Sequence, residues 1–140
     1  MSLSFCISPY RPADEPAIRE FFPEFAEEIS GELHRGLVLV ARHGRRAVGF
    51  SWTKWFEEPA YYDVGVRRFG EVQEVHVHPE FRNRGIATAL LSRTVRAAVR
   101  KGCEALYLET DDFSAAARRV YERCGFRYHN LEIRYKLPLR

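Results

Sequence analysis

The chain has 140 residues, 46% of them hydrophobic, and a formal net charge of +3. That length suits one domain spanning 1–140, and the apolar share suits a packed core, which excludes a disordered chain. No apolar run is long enough to span a bilayer, the N-terminus lacks the basic flank and apolar core of a signal peptide, and the modest charge does not call for nucleic acid. Cys6, Cys103 and Cys124 are odd in number and lack metal-ligand spacing, so a reducing, cytoplasmic setting is expected.

Leu3 to Ile7 reads as a first strand, broken by Pro9, Arg11 and Pro12. Asp14 suits the cap of a helix carrying Ala17, Ile18, Phe21 and Phe22 on one side, which Pro23 interrupts. A second short helix is predicted from Glu24 to Ile29, ending at Gly31. Leu37 to Arg42 and Ala47 to Trp55 read as a hairpin around His43-Gly44-Arg45-Arg46. Gly49 within the second strand predicts a bulge or a close backbone approach. The loop from Phe56 to Gly65 sets Glu57, Glu58 and Asp63 beside Phe56, Tyr61 and Tyr62. Such a loop either holds a cationic amine or buries its own rings.

Glu71 to Val77 alternates as a central strand, and Pro79 ends it. Ile86, Ala87, Leu90, Leu91, Thr94, Val95 and Ala98 fall at helical spacing, so a long helix runs from Arg84 to about Lys101, stopped by Gly102. Glu104 to Glu109 is the next strand. Asp111, Asp112 and Ser114 suit the start of a helix from Ala115 to Arg123, with Gly125 after its end. Phe126 to His129 and Glu132 to Leu137 form a last pair of strands around Asn130. The order is β-α-α-β-β-β-α-β-α-β-β, an α/β chain with a right-handed parallel unit from Glu71 to Glu109. The strand at Glu132–Leu137 reads as an edge that can pair with a second copy as a homodimer.

The strand, the Arg-rich turn and the helix start from Val75 to Leu91 together make an anion site. The first N–H groups of a helix lack internal partners, and the helix dipole adds partial positive charge there. Arg82 and Arg84 add formal charge, and Gly85 allows close approach of a ligand to the backbone. The expected guest is a phosphate or pyrophosphate.

Arg82-x-x-Gly85-Ile86-Ala87 resembles the Arg/Gln-x-x-Gly-x-Gly/Ala pattern of the GNAT N-acetyltransferases, whose loop cradles the pyrophosphate of acetyl-coenzyme A. Val77-His78-Pro79 before it and Leu90-Leu91 after it also fit, as do Glu109 and Tyr121-Glu122-Arg123-Cys124-Gly125-Phe126 further on. The resemblance implies a mixed, mainly antiparallel twisted sheet flanked by helices, splayed at the cofactor strand. It implies pyrophosphate binding by the backbone from Arg82 through Asn83, Arg84, Gly85, Ile86 and Ala87 to Thr88. It also places Val75, His76 and Val77 beside the thioester, with a backbone N–H of Val75 or His76 as oxyanion donor. Ser114 stands where the family often has Asn contacting the pantetheine, and it reaches less far; Ala117 lies one turn on.

By its helical spacing Tyr121 shares a face with Ala117, Val120 and Cys124, which suits a core aromatic. The resemblance gives Tyr121 a second reading, as the acid that protonates the leaving thiolate. Glu71 and Glu109 match two base positions used in the family. Glu74 and His76 are further candidates, and each carboxylate can equally be an ion-pair partner for the many arginines. A regular strand would put Glu71 and Glu74 on opposite faces. His76 and His78 share a face but lack further ligands, so no metal is expected. Cys124 reads as packing rather than as an acyl carrier. The expected activity is acetyl transfer from acetyl-CoA to a primary amine of a small molecule, a peptide N-terminus or a lysine, by direct attack in a ternary complex. The rival expectation is a non-catalytic acyl-CoA sensor or interaction module.

Overall fold

Residue alternation is strongest in the middle of the chain, and the longest strands form there. The structure is a computed structural model that describes residues 4–110, 114–128 and 134–139. Its strands are β1 (Cys6–Pro9), β2 (Gly36–His43), β3 (Arg46–Glu57), β4 (Arg68–Val77), β5 (Ala105–Glu109), β6 (Arg127–Tyr128) and β7 (Arg134–Pro138). Its helices are α1 (Glu15–Arg19), α2 (Phe25–Glu28), α3 (Ile86–Arg100) and α4 (Ala115–Arg123). The element order is the expected one. One sheet carries the strands in the order β1-β2-β3-β4-β5-β7-β6. Among the described residues only the β4–β5 pair is parallel, joined through α3.

Each face of the sheet is closed by two helices. On one face Ile18, Phe22, Phe25 and Ile29 pack on Val38, Val40, Phe50 and Trp52. On the other, Ile86, Leu90 and Leu91 of α3 are buried. Each such side chain contributes about 1.5–3 kcal/mol of hydrophobic stabilisation. Leu91 and Ala98 pack with Val72, Leu106, Leu108 and Phe126. Gly102, at φ +78°, takes the left-handed conformation that ends α3.

Three local expectations are corrected. Asp14 does not cap α1 with its side chain. Its buried carboxylate instead meets Arg42 of β2, at 2.9 Å from Nε, and accepts the Arg11 N–H at 2.8 Å. The first helix ends at Arg19, before Phe21 and Phe22, because tertiary packing holds those rings against Phe50 without a helical backbone. Finally, β7 is not an edge strand: it lies between β5 and β6, because the chain lays β6 at the outer edge first and then turns inward to pair β7 with β5. The expectations for Leu3, Asp111, Asp112, His129, Asn130 and Glu132 lie outside the described residues.

Candidate functional site

The site is built on β4. Its pairing with β3 runs from Gly49↔Val77 to Glu57↔Arg68, with one irregularity: Trp52 faces Glu74, while Thr53 faces Val72. Gln73 is therefore an extra residue, a bulge that bends and twists the strand. On its other side β4 pairs with β5 only from Phe69↔Ala105 to Val72↔Leu108. Beyond Val72 the two strands part. The bulge lies two residues before Val75, where the sequence reading places the oxyanion donor, and the fork leaves Val75, His76 and Val77 along its open edge.

The bulge also changes which side chains share a face. Glu71 lies opposite Lys54, Glu74 opposite Trp52 and His76 opposite Phe50, alternate residues of β3. Glu71, Glu74 and His76 therefore stand together on the α1–α2 face. Val72, Val75 and Val77 take the other face, where Val75 packs against both α3 clusters.

A cleft of about 1060 Å³ opens at the fork. Its floor is β4 from Val72 to Val77, one wall is α4 and one end is the turn into α3. That turn bends sharply, with Asn83 at φ 62° and Gly85 at φ 81°. Backbone that alternates in hand this way makes an anion-binding concavity. Gly85 is the residue before α3, and the first intrahelical acceptor is its own carbonyl, bonded by Ala89 N–H at 3.0 Å. The N–H groups of Ile86, Ala87 and Thr88 thus precede the internal ladder.

Most of the expected binding residues border this cleft: Val75, His76, Val77, Arg82, Asn83, Gly85, Ile86, Ala87, Thr88, Ser114 and Ala117. Arg84 does not; it is exposed on the outside of the turn. Arg119 and Arg123 of α4 do line it, and the sequence reading passed over them. Their spacing of four on one helix was the signal available. Ser114 caps α4, its hydroxyl accepting from Ala117 N–H at 3.1 Å.

Tyr121 borders the cleft from α4, its ring 5.4 Å from that of Tyr135 and its hydroxyl donating to Thr110 Oγ1 at 3.4 Å. Glu74 and Glu109 border the same cleft. A second cavity, about 170 Å³, lies at the point of the fork between Glu71, Val72, Gln73, Tyr107 and Glu109. Of the three candidate carboxylates, Glu109 is the one that borders both spaces. Glu71 is held by the hydroxyl of Tyr62 and by Gln73 Nε2 at 3.3 Å. Glu74 is bound to His76, whose Nε2 lies 2.5 Å from Oε2 and whose ring lies tilted against Phe22 at 4.4 Å and stacks on Phe50 at 5.6 Å.

Two side chains of the loop after β3 tie it back to the sheet. Tyr62 reaches Glu71, while Asp63 accepts from Tyr107 and from Lys136 Nζ at 2.6 Å. Tyr61 remains 87% exposed at the loop's outer side.

Cys124 packs against α3, its thiol donating to the Thr88 carbonyl at 3.7 Å. Burial pushes this thiol up, against smaller lowering effects of a Ser92 hydrogen bond and the Arg123 charge. A neutral, packed thiol is a poor nucleophile. No cluster of metal-ligating side chains occurs among the described residues, and no helix among them is long and apolar enough to cross a membrane.

Comparison with known proteins places this geometry. The family model described as "Acetyltransferase (GNAT) family" matches residues 5–126. A mycothiol acetyltransferase of Amycolatopsis mediterranei is 33% identical over 100 residues, covering 71% of this chain and 33% of that protein. The corresponding protein of Streptomyces griseus is 34% identical, covering 73% of this chain and 30% of its own length. The chain thus spans about a third of the length of these curated relatives. Among solved structures, the Escherichia coli ribosomal-protein-S18-alanine N-acetyltransferase superposes with a TM-score of 0.77 at 20% identity, covering 97% of this chain and 94% of that one. A GNAT family acetyltransferase from Elizabethkingia anophelis with acetyl-CoA bound gives a TM-score of 0.72 at 19% identity, covering 96% and 98%. With a splayed sheet, an anion-binding turn and a family match over most of its length, the chain belongs to the GNAT family of acetyltransferases.

Proposed function

We propose that this chain transfers an acetyl group from acetyl-CoA to a primary amine by direct attack in a ternary complex. The observation that carries this reading is the single cleft that joins the helix N-terminus of α3, the open edge of β4 and Tyr121. The pyrophosphate takes the amides from Arg82 to Thr88, with Arg82 beside them. The pantetheine arm runs along Ala117 and the open edge of β4, toward the fork.

The chemistry then follows from the side chains around the fork. The amine nitrogen attacks the thioester carbonyl carbon, and an N–H of Val75 or His76 donates to the developing oxyanion. The carbon–sulfur bond breaks, and Tyr121 gives its hydroxyl proton to the leaving thiolate. Glu109, bordering both spaces, takes the proton lost by the amine. Glu71, steadied by Tyr62 and Gln73, orients the amine in the smaller cavity. Relatives named for mycothiol and for the alanine of ribosomal protein S18 put different acceptors on similar frames. The acceptor is therefore chosen by residues such as Tyr61 and Tyr62, outside the shared turn.

The test mixes protein, acetyl-CoA and a panel of primary amines and follows thiol release. Turnover with at least one amine is expected, and Tyr121→Phe should lower kcat by about 10²-fold with the acetyl-CoA KM nearly unchanged. Coenzyme binding without turnover on any amine would instead favour a sensor.

A further inference from the structure

Three guanidinium groups border the cleft: Arg82 before α3, and Arg119 and Arg123 on α4. None of them forms an ion pair among the described residues. Some arginines away from the cleft are paired, Arg42 with Asp14, Arg46 with Glu20 and Arg68 with Glu57, but what sets these three apart is that they share one cleft. Three unneutralised cations around one cleft repel one another and favour an anion between them.

Arg119 and Arg123 are four residues apart, so they project from one side of α4, about 6 Å apart along its axis. Both are exposed at the rim, while Ala117, Val120 and Tyr121 form the less exposed wall. The carboxyl end of α4 is fixed against the opening of α3, because Cys124 contacts the Thr88 carbonyl at 3.7 Å. Arg123, next in sequence, therefore stands beside the α3 N-terminus rather than beside the fork. The cleft thus has an order: Tyr121 and the fork within, the helix start further out, and the arginine pair at the rim.

A coenzyme lying in this cleft presents its charges in the same order. The neutral pantetheine arm comes first, then the pyrophosphate, then the 3′-phosphate of the adenosine. Arg82 and the free amides of α3 answer the pyrophosphate. A phosphomonoester carries about −1.5 to −2 near neutral pH, which the two α4 guanidiniums match. We propose that Arg119 and Arg123 form a phosphomonoester subsite that grips the coenzyme 3′-phosphate and lets the protein discriminate CoA from dephospho-CoA. This rests on the assignment of acetyl-CoA as donor.

The test measures binding of CoA and of dephospho-CoA by calorimetry, to the unaltered protein and to Arg119→Ala/Arg123→Ala. Both positions are exposed on a helix, where alanine is well tolerated. The unaltered protein should bind CoA about tenfold more tightly than dephospho-CoA. The double variant should bind both forms with the weaker affinity, and the gap should shrink as salt is raised. Equal binding of the two forms by the unaltered protein overturns the subsite. So does a variant that loses affinity for both forms alike, which would assign the arginines to the pyrophosphate. Binding of neither form by the unaltered protein overturns the donor assignment itself, and this subsite with it.

Discussion

Glu71 and Glu74 stand on the same face of β4 although three residues separate them, because Gln73 is an extra residue in the ladder with β3. The bulge gathers acidic groups on the face opposite α3 and α4, while the valines of β4 take the α3 side. Glu109 reaches the same place from β5, at the point where the two strands part.

This arrangement separates three roles by measurement. Glu109→Gln should lower kcat by about 10²–10⁴-fold, the range for loss of a general base, with the amine KM nearly unchanged. Glu71→Gln should raise the amine KM more than it lowers kcat. Glu74→Gln, which removes a partner of His76, should do least. A Glu71→Gln variant with the larger kcat loss would exchange the first two roles.

Two glycines differ in what they protect. A Cβ on Gly49 would lie 3.0 Å from Ile86 Cγ2 and 3.2 Å from the His76 carbonyl oxygen. Gly49→Ala should push the first residue of α3 outward, lowering stability by about 1–3 kcal/mol and weakening coenzyme binding. Gly85 at φ +81° has no atom within 4 Å of its added Cβ. Gly85→Ala should therefore lower the stability of the free protein only through backbone strain, by about 1–2 kcal/mol, while its methyl group crowds the bound pyrophosphate. Thermal unfolding with and without CoA checks both, and an unchanged Tm for Gly49→Ala would refute the close contact.

Asp14 and Arg42 form a buried pair with side chains 6% exposed each. Arg42 also donates to Ser8 and, at 3.0 Å, to the Pro9 carbonyl. The pair ties the first strand and first helix to β2. Arg42→Ala should destabilise by about 3–5 kcal/mol, because the buried Asp14 carboxyl would lose its partner. Replacing both by apolar residues, Asp14→Leu with Arg42→Met, should cost less than the single change. Urea midpoints at constant m-value report this, and a double variant weaker than Arg42→Ala would contradict it.

Cys124 offers a chemical probe of the α3–α4 contact. Burial raises its thiol, so at pH 8 less of it is thiolate than of an ordinary cysteine. Maleimide should label exposed Cys6 at least tenfold faster than Cys124. The linkage has one sign: the folded state disfavours the thiolate. The contribution is whole below the ordinary thiol value of about 8.5 and fades as pH rises beyond it. Rapid labelling of Cys124 in the folded protein would show that α4 is not held on α3.

Much of the frame was legible from residue pattern. Alternation from Glu71, helical spacing from Ile86 and glycines at 85, 102 and 125 report local backbone preference, which tertiary contacts here reinforced. Local pattern misread Asp14, because a capping role and a buried ion pair use the same carboxylate, and the partner lies 28 residues away. It extended the first helix to Phe22, since rings at helical spacing can also reach one core from a turn.

The sequence by itself determined the strand–turn–helix around Gly85, because a strand, a glycine and an amphipathic helix are neighbours in the chain and need only local backbone preference to form. Only the tertiary structure decided the bulge at Gln73, the parting of β4 from β5 and the faces that result. These depend on strand register, which is fixed by pairing between distant segments and moves every later side chain across the sheet. The same holds for Arg119 and Arg123: their spacing puts them on one side of a helix, and the packing of α4 on α3 turns that side toward the cleft.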